Sequence, residues 1–197
     1  PVFSFSSPKI NYASGIQLNY LSSKFFYQIR VGFQEGCVNN NRFSYKRPYV
    51  RSIGYIDDTN SMSFRNPIFQ GLVAYQLNKY ITLSAGNEKN TFGDGYRSLW
   101  LSDFAPVYPF IKLESTFWKV KYINLWSLHE DQYSKGFSNL KWASSHLLSY
   151  NVTKWMNLSV FESIVWQNKD TLVNRGPDIN YFNPFIFFTN ILIKKFI

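Results

Sequence analysis

The chain has 197 residues, 45% hydrophobic and 20% aromatic, with a formal net charge of +9. It contains no run of about 18 apolar residues, which excludes a membrane-spanning helix, and its single cysteine, Cys37, excludes an intrachain disulfide framework. The positive charge reads first as a solvated basic surface and, more sharply, suits an acidic polymer such as anionic polysaccharide or lipopolysaccharide; no RNP, zinc-finger or helix-turn-helix pattern directs it to nucleic acid.

The elements follow in chain order. Over residues 16–20, Ile16, Leu18 and Tyr20 alternate with Gln17 and Asn19. After Ser22-Ser23 the alternation resumes over residues 24–34. Phe25, Tyr27, Ile29, Val31 and Phe33 take one face; Lys24, Phe26, Gln28, Arg30, Gly32 and Gln34 take the other. Period 2 on both sides of a short polar junction predicts a β-hairpin. Residues 35–67 carry turn chemistry, with Asn39-Asn40-Asn41, Pro48, Asp57-Asp58 and Asn66-Pro67, and room for one short strand at 49–56. The basic cluster Arg42, Lys46, Arg47 and Arg51 falls in this stretch.

A second hairpin is expected over residues 71–77 and 80–86, turning at Asn78-Lys79, with Ile81, Leu83 and Ala85 on one face. Residues 110–126 read as one strand with no clean apolar face, and residues 129–139 as a loop. A third hairpin is expected over 140–152 and 155–166, joined at Thr153-Lys154, where Leu158 and Val160 alternate with Asn157 and Ser159. Residues 168–180 read as loop, and a last strand-like run begins at Tyr181. No segment has a sustained helical period. The reading is an all-β antiparallel meander in one domain over residues 1–197, closed as a barrel or folded as a sandwich. Aromatic residues near the expected strand ends (Tyr20, Phe33, Tyr80, Trp126, Tyr150, Trp155, Trp166) lean towards a membrane barrel with aromatic girdles. In that case Ile16, Leu18, Phe25, Tyr27, Ile29, Val31, Ile81, Leu83, Leu158 and Val160 form the lipid face. A soluble sugar-binding sandwich is the alternative.

Chemistry-bearing residues are sparse. Cys37 has no motif tying it to His129 or His146. Glu130-Asp131 beside His129 resembles a metal site only superficially. Neighbours on a strand point to opposite faces, so a solvated acidic loop is expected and no metal. Asp94, Asp103, Glu114 and Glu162 would make a glycosidase pair only if the fold brought two of them together. Gly93-Asp94-Gly95 lacks phosphate-loop spacing and reads as a turn in which glycine supplies positive φ. Asp94, Arg97 and Asp103 are expected to form a paired-charge network, either a structural ion-pair network on the polar side of the sheet or one that lines a lumen or plug and contacts ligand. Glu162, alone among apolar residues of its strand, needs polar surroundings or a cation, and Arg97 is the candidate. Neither catalysis nor a cofactor is expected.

The run Phe92-Gly93-Asp94-Gly95-Tyr96-Arg97-Ser98-Leu99-Trp100-Leu101-Ser102-Asp103-Phe104 resembles a signature of RemB-like gliding-motility proteins and the related Wzi-type capsule-assembly proteins. Three further runs are similar to that group and stand in the same order. They are Tyr108-Pro109-Phe110 leading into Phe117-Trp118, Phe161-Glu162-Ser163-Ile164-Val165-Trp166, and Phe182-Asn183-Pro184-Phe185-Ile186-Phe187-Phe188. After Phe188, Thr189-Asn190-Ile191-Leu192 departs from the pattern. The resemblance implies a bacterial outer-membrane β-barrel without classical enzymatic activity. It would attach surface polysaccharide or serve gliding, with outer-membrane lipid, anionic polysaccharide or lipopolysaccharide, and other cell-surface proteins as partners. It marks Gly93, Gly95, Tyr96, Ser98, Ser102, Asn183 and Pro184 as structural. Members of the group are much longer. With a start at Pro1-Val2-Phe3 and an end inside a strand-like pattern, the chain is expected to be an interior stretch of a larger barrel.

Overall fold

The computed structural model describes residues 12–37, 49–50, 54–55, 63–92, 101, 106–130, 140–168 and 176. Among them there is no helix. The strands are β1 (Tyr12–Leu21), β2 (Phe25–Cys37), β3 (Tyr49–Val50), β4 (Gly54–Tyr55), β5 (Ser63–Gln76), β6 (Ile81–Glu88), β7 (Tyr108–Phe117), β8 (Val120–Glu130), β9 (Leu140–Asn151) and β10 (Asn157–Gln167). Eight of them form one antiparallel meander in the order β1-β2-β5-β6-β7-β8-β9-β10, while β3 and β4 pair separately. β1 and β10 are the two edges, and among the described residues the sheet is not closed. The expected all-β meander is therefore present.

The connections fall into two kinds. Ser22 N donates to Phe25 O at 2.7 Å, closing the β1–β2 turn. Asn78 Oδ1 accepts from the amides of Tyr80 (2.8 Å) and Ile81 (2.9 Å), the side chain standing in for a backbone carbonyl at the β5–β6 turn. β7 and β8 are joined by Trp118 and Lys119 alone, and β9 and β10 by a turn in which Thr153 N donates to Met156 O at 3.2 Å. Alternate connections of a meander fall at the same end of its strands. All four tight turns therefore share one end, and the longer connections, residues 38–62, 89–107 and 131–139, share the other.

Four elements differ from expectation. Residues 110–126 are not one strand but parts of β7 and β8. Their turn contains no Gly, Asn, Asp or Pro; Trp118 itself takes φ 53°, a region a bulky residue seldom enters, so the sequence carries no punctuation there. β8 runs on to Glu130, so His129 lies in a strand and not in a loop: it shares a 2.8 Å hydrogen bond with Ser127 Oγ, and its ring centroid lies 4.5 Å from that of Tyr108. β5 begins at Ser63 and takes Asn66-Pro67 into the strand. A proline fits a strand wherever its missing N–H is not needed by a neighbour. Residues 49–56 hold two short strands, β3 and β4, and not one. The run expected from Tyr181 lies outside the described residues.

Contacts divide the chain into two compact units. The first lies within Pro1–Tyr20, Gln28–Gly71 and Asn87–Val107; the second within Leu21–Tyr27, Leu72–Gly86 and Tyr108–Ile197. In the first unit the strands have two unlike faces. Ile16 (70% exposed), Leu18 (62%), Ile29, Val31, Phe33 and Phe69 stand open to the surroundings. The alternate positions carry a polar network: Arg30 Nε donates to Gln17 Oε1 (3.0 Å), Arg30 Nη1 to Gln70 Oε1 (2.7 Å), and Gln17 Nε2 to Asn19 Oδ1 (3.1 Å). β1 and β2 approach closely at Gly15 and Gly32. A Cβ on Gly15 would stand 2.5 Å from Val31 O, and one on Gly32 would collide with Ser14 O.

The second unit buries Tyr108, Phe110, Ile123, Leu125 and Ala143, but also Ser84, Asn124, Ser127, Ser144, Ser145 and His146. The register places Ile123, Leu125 and Ser127 of β8 beside Phe110 of β7 and Ala143 and Ser145 of β9 on one face. Asn124, Ser144, His146 and Glu162 share the other.

Candidate functional site

Most residues singled out by the glycine-aspartate-arginine run, Gly93, Asp94, Gly95, Tyr96, Arg97, Ser98, Ser102 and Asp103, lie outside the described residues, as do Asn183 and Pro184. Glu162 is described. It sits in β10 directly opposite His146 of β9, a neighbour that sequence spacing did not offer. The register of β10 with β9 is unbroken from Asn157 to Gln167. Leu158, Val160 and Glu162 therefore share a face, since side chains alternate with period 2. They cannot be divided between a lipid face and a lumen.

Around His146 stands a compact polar cluster. His146 Nδ1 donates to Asn124 Oδ1 at 2.5 Å, with the Tyr122 hydroxyl 3.3 Å from the same nitrogen; Ser144 Oγ lies 3.3 Å from Nε2. The order hydroxyl, imidazole, carboxamide is that of a nucleophile, its base and the group that orients the base. Access decides against that use. Ser144 is 0% exposed, Asn124 1% and His146 3%, so a substrate cannot reach the hydroxyl. Asn124 Nδ2 is buried without a hydrogen-bond partner. Such a group costs about 1–3 kcal/mol. The cluster ties β8 to β9 through side chains. Glu114 forms a second, more exposed polar group on the opposite face, 3.2 Å from Lys121 and 3.5 Å from Lys112. Glu114 and Glu162 project from opposite faces of the sheet, which removes this pair from glycosidase geometry. Among the described residues no group of His, Cys, Asp and Glu is placed to hold a metal ion.

The open site of the first unit is a cleft of about 690 Å³ lined by Ala13, Arg30, Gln34, Asn66, Gln70 and Asn87, among others. A smaller hollow of about 190 Å³ lies beside it over Gly15 and Gly32 and shares Arg30. Among the described residues no carboxylate pairs with Arg30; its partners are the two glutamines. Gln70 Oε1 is occupied by Arg30, which leaves its amide hydrogens to donate. Asn87 Nδ2 donates to Phe69 O at 3.0 Å, which leaves Asn87 Oδ1 to accept. Sequence reasoning saw Arg30 only as a polar position of an alternating strand. The signal it did not weigh was an arginine set between Gln28 on one side and Gly32 and Gln34 on the other, away from Lys24 at the far end of the same strand face.

No family model, curated protein or solved structure matches the chain.

Proposed function

We propose that these strands belong to a bacterial outer-membrane β-barrel, and that the barrel is a non-catalytic holder of anionic surface polysaccharide, of the Wzi-type capsule-assembly kind; gliding motility of the RemB-like kind is the related role. The observation that carries the reading is inverted polarity. Ile16, Leu18, Ile29, Val31, Leu83, Leu158 and Val160, seven of the ten residues expected to face lipid, are exposed. On β1, β2 and β5 polar side chains meanwhile hydrogen-bond one another at the alternate positions, whereas on β8 to β10 the buried Asn124, Ser144 and His146 share the face of Leu158 and Val160. Burying a large apolar side chain contributes about 1.5–3 kcal/mol. Seven half-exposed ones forgo on the order of 5–10 kcal/mol in water, comparable with the whole stability of a domain at about 5–15 kcal/mol. In hydrocarbon that cost vanishes.

The turns support the same reading, since outer-membrane barrels have tight turns at one end and longer loops at the other. The exposed aromatics Tyr80, Phe117, Trp118 and Trp155 cluster at the tight-turn end, where a girdle would lie. In lipid, each unsatisfied edge group costs several kcal/mol, so a membrane barrel needs the edges β1 and β10 paired, with each other or with further strands. The test is fractionation of cells producing the full-length protein. The expected result is an outer-membrane pellet released by detergent, with a band that shifts on heating in gel electrophoresis. A protein found in the soluble fraction, with Ile16, Leu18, Ile29 and Val31 packed against a second sheet, gives the sugar-binding sandwich instead.

A further inference from the structure

We infer that the cleft around Arg30 is a binding site for an acidic saccharide, taking a sugar carboxylate on the Arg30 guanidinium and sugar hydroxyls on the surrounding carboxamides. The charge comes first. Arg30 is an always-charged group on a half-buried strand position. Its neighbours in the sheet, Gln17 and Gln70, are neutral acceptors. They fix Nε and Nη1 in place and leave Nη2 with two N–H groups to donate. A guanidinium held in one orientation before the ligand arrives loses less freedom on forming a paired hydrogen bond with a carboxylate. Glu88 and Lys89 also border the cleft, and their charges offset one another. Among the described residues that line the cleft, Arg30 is thus the unbalanced charge.

The wall around it sets the rest of the ligand. Among the described residues the carboxamides of Gln34 and Asn66 have no hydrogen-bond partner, and those of Gln70 and Asn87 are each half used. Carboxamides donate and accept at once, as sugar hydroxyls do, so a carbohydrate satisfies both kinds of group. A free inorganic anion would meet Arg30 and leave the amides to water. The volume, about 690 Å³, suits two or three sugar rings and exceeds what a small ion needs. Gly15 and Gly32 keep the adjoining hollow of about 190 Å³ free of side chains, which leaves the arginine approachable from a second direction. Gln34, Asn66, Asn87 and Val107 lie towards the end of the strands that carries the longer connections. If the barrel reading holds, that end faces outward; the site rests on that reading only for which side of the membrane it serves.

The test is calorimetric titration of the full-length protein, folded in detergent, with a galacturonic acid trisaccharide and with its neutral galactose counterpart. The acidic sugar is expected to bind more tightly, and more weakly as salt rises. Arg30→Gln is expected to weaken the acidic trisaccharide by about tenfold or more and the neutral one by less than about twofold. Gln34→Leu and Asn66→Ala, which leave the Arg30 network intact, are expected to weaken both sugars by about three- to fivefold. Unchanged circular dichroism and melting certify the fold of each variant. The site is overturned if neither sugar binds, if Arg30→Gln lowers both affinities alike, or if acetate at equal concentration binds as tightly as the trisaccharide. An outer-membrane protein that fails these titrations loses the site and keeps the barrel. A soluble protein that passes them loses the barrel and keeps the site.

Discussion

The hairpin of β1 and β2 with β5 behaves differently from the sheet of β7 to β10. In the first region every strand position has one job. Ile16, Leu18, Ile29 and Val31 are exposed and apolar, while Gln17, Arg30 and Gln70 bond to each other. In the second region both faces are partly covered, and the face that carries Leu158 and Val160 also carries Asn124, Ser144, His146 and Glu162. Strict alternation means that a strand's surroundings differ by side alone. Where alternation is broken, something on the same side must supply polar partners, and here the cluster supplies them to itself.

The largest expected effect sharpens the first region. Gly32→Val puts a branched side chain where even a Cβ would strike the Ser14 carbonyl. It should destabilise the β1–β2 pair by about 3 kcal/mol or more, read as a lower urea midpoint. Next comes the contrast between its faces. In the full-length protein folded into lipid vesicles, Leu18→Arg should cost about 2–4 kcal/mol and Gln17→Arg about 0–1 kcal/mol, from unfolding titrations. Equal costs would erase the distinction between faces and the membrane reading with it.

The second region is probed by His146→Leu. It strips partners from Asn124, Tyr122 and Ser144 and should cost about 1–3 kcal/mol in denaturant unfolding. The double change Asn124→Leu with His146→Leu should recover much of that loss, because a pair of apolar groups leaves no buried amide unsatisfied. Additive losses would mean that the two side chains do not act as a unit. The smallest effect belongs to Lys121→Ala, whose half-exposed bridge to Glu114 should be worth about 1 kcal/mol or less and fade in high salt.

Much of the fold was legible in the chain. The alternation of residues 24–34 located β2, Asn78-Lys79 located a turn, and Leu158 and Val160 located β10. The β7–β8 hairpin was not legible, because Trp118 and Lys119 carry none of the residues that ordinarily mark a reversal. Asn66-Pro67 misled in the other direction, marking a break where pairing carries the strand through. The candidate site was less legible. Arg30 looked like one polar position among several, and its meaning depends on Gln17, thirteen positions before it, and Gln70, forty after.

The sequence by itself determined the class of the fold, since a period of 2 is a local property of a few consecutive side chains. It also determined which faces of β1 and β2 are apolar. Only the tertiary structure decided who stands beside whom: that Glu162 meets His146 across β9 and β10, and that Arg30 is held between two glutamines at the edge of a cleft. The reason is register. Cross-strand neighbours are set by how far one strand slides along the next, and a shift of one residue exchanges every partner and every face. That quantity belongs to pairs of distant segments, and no single stretch of chain contains it.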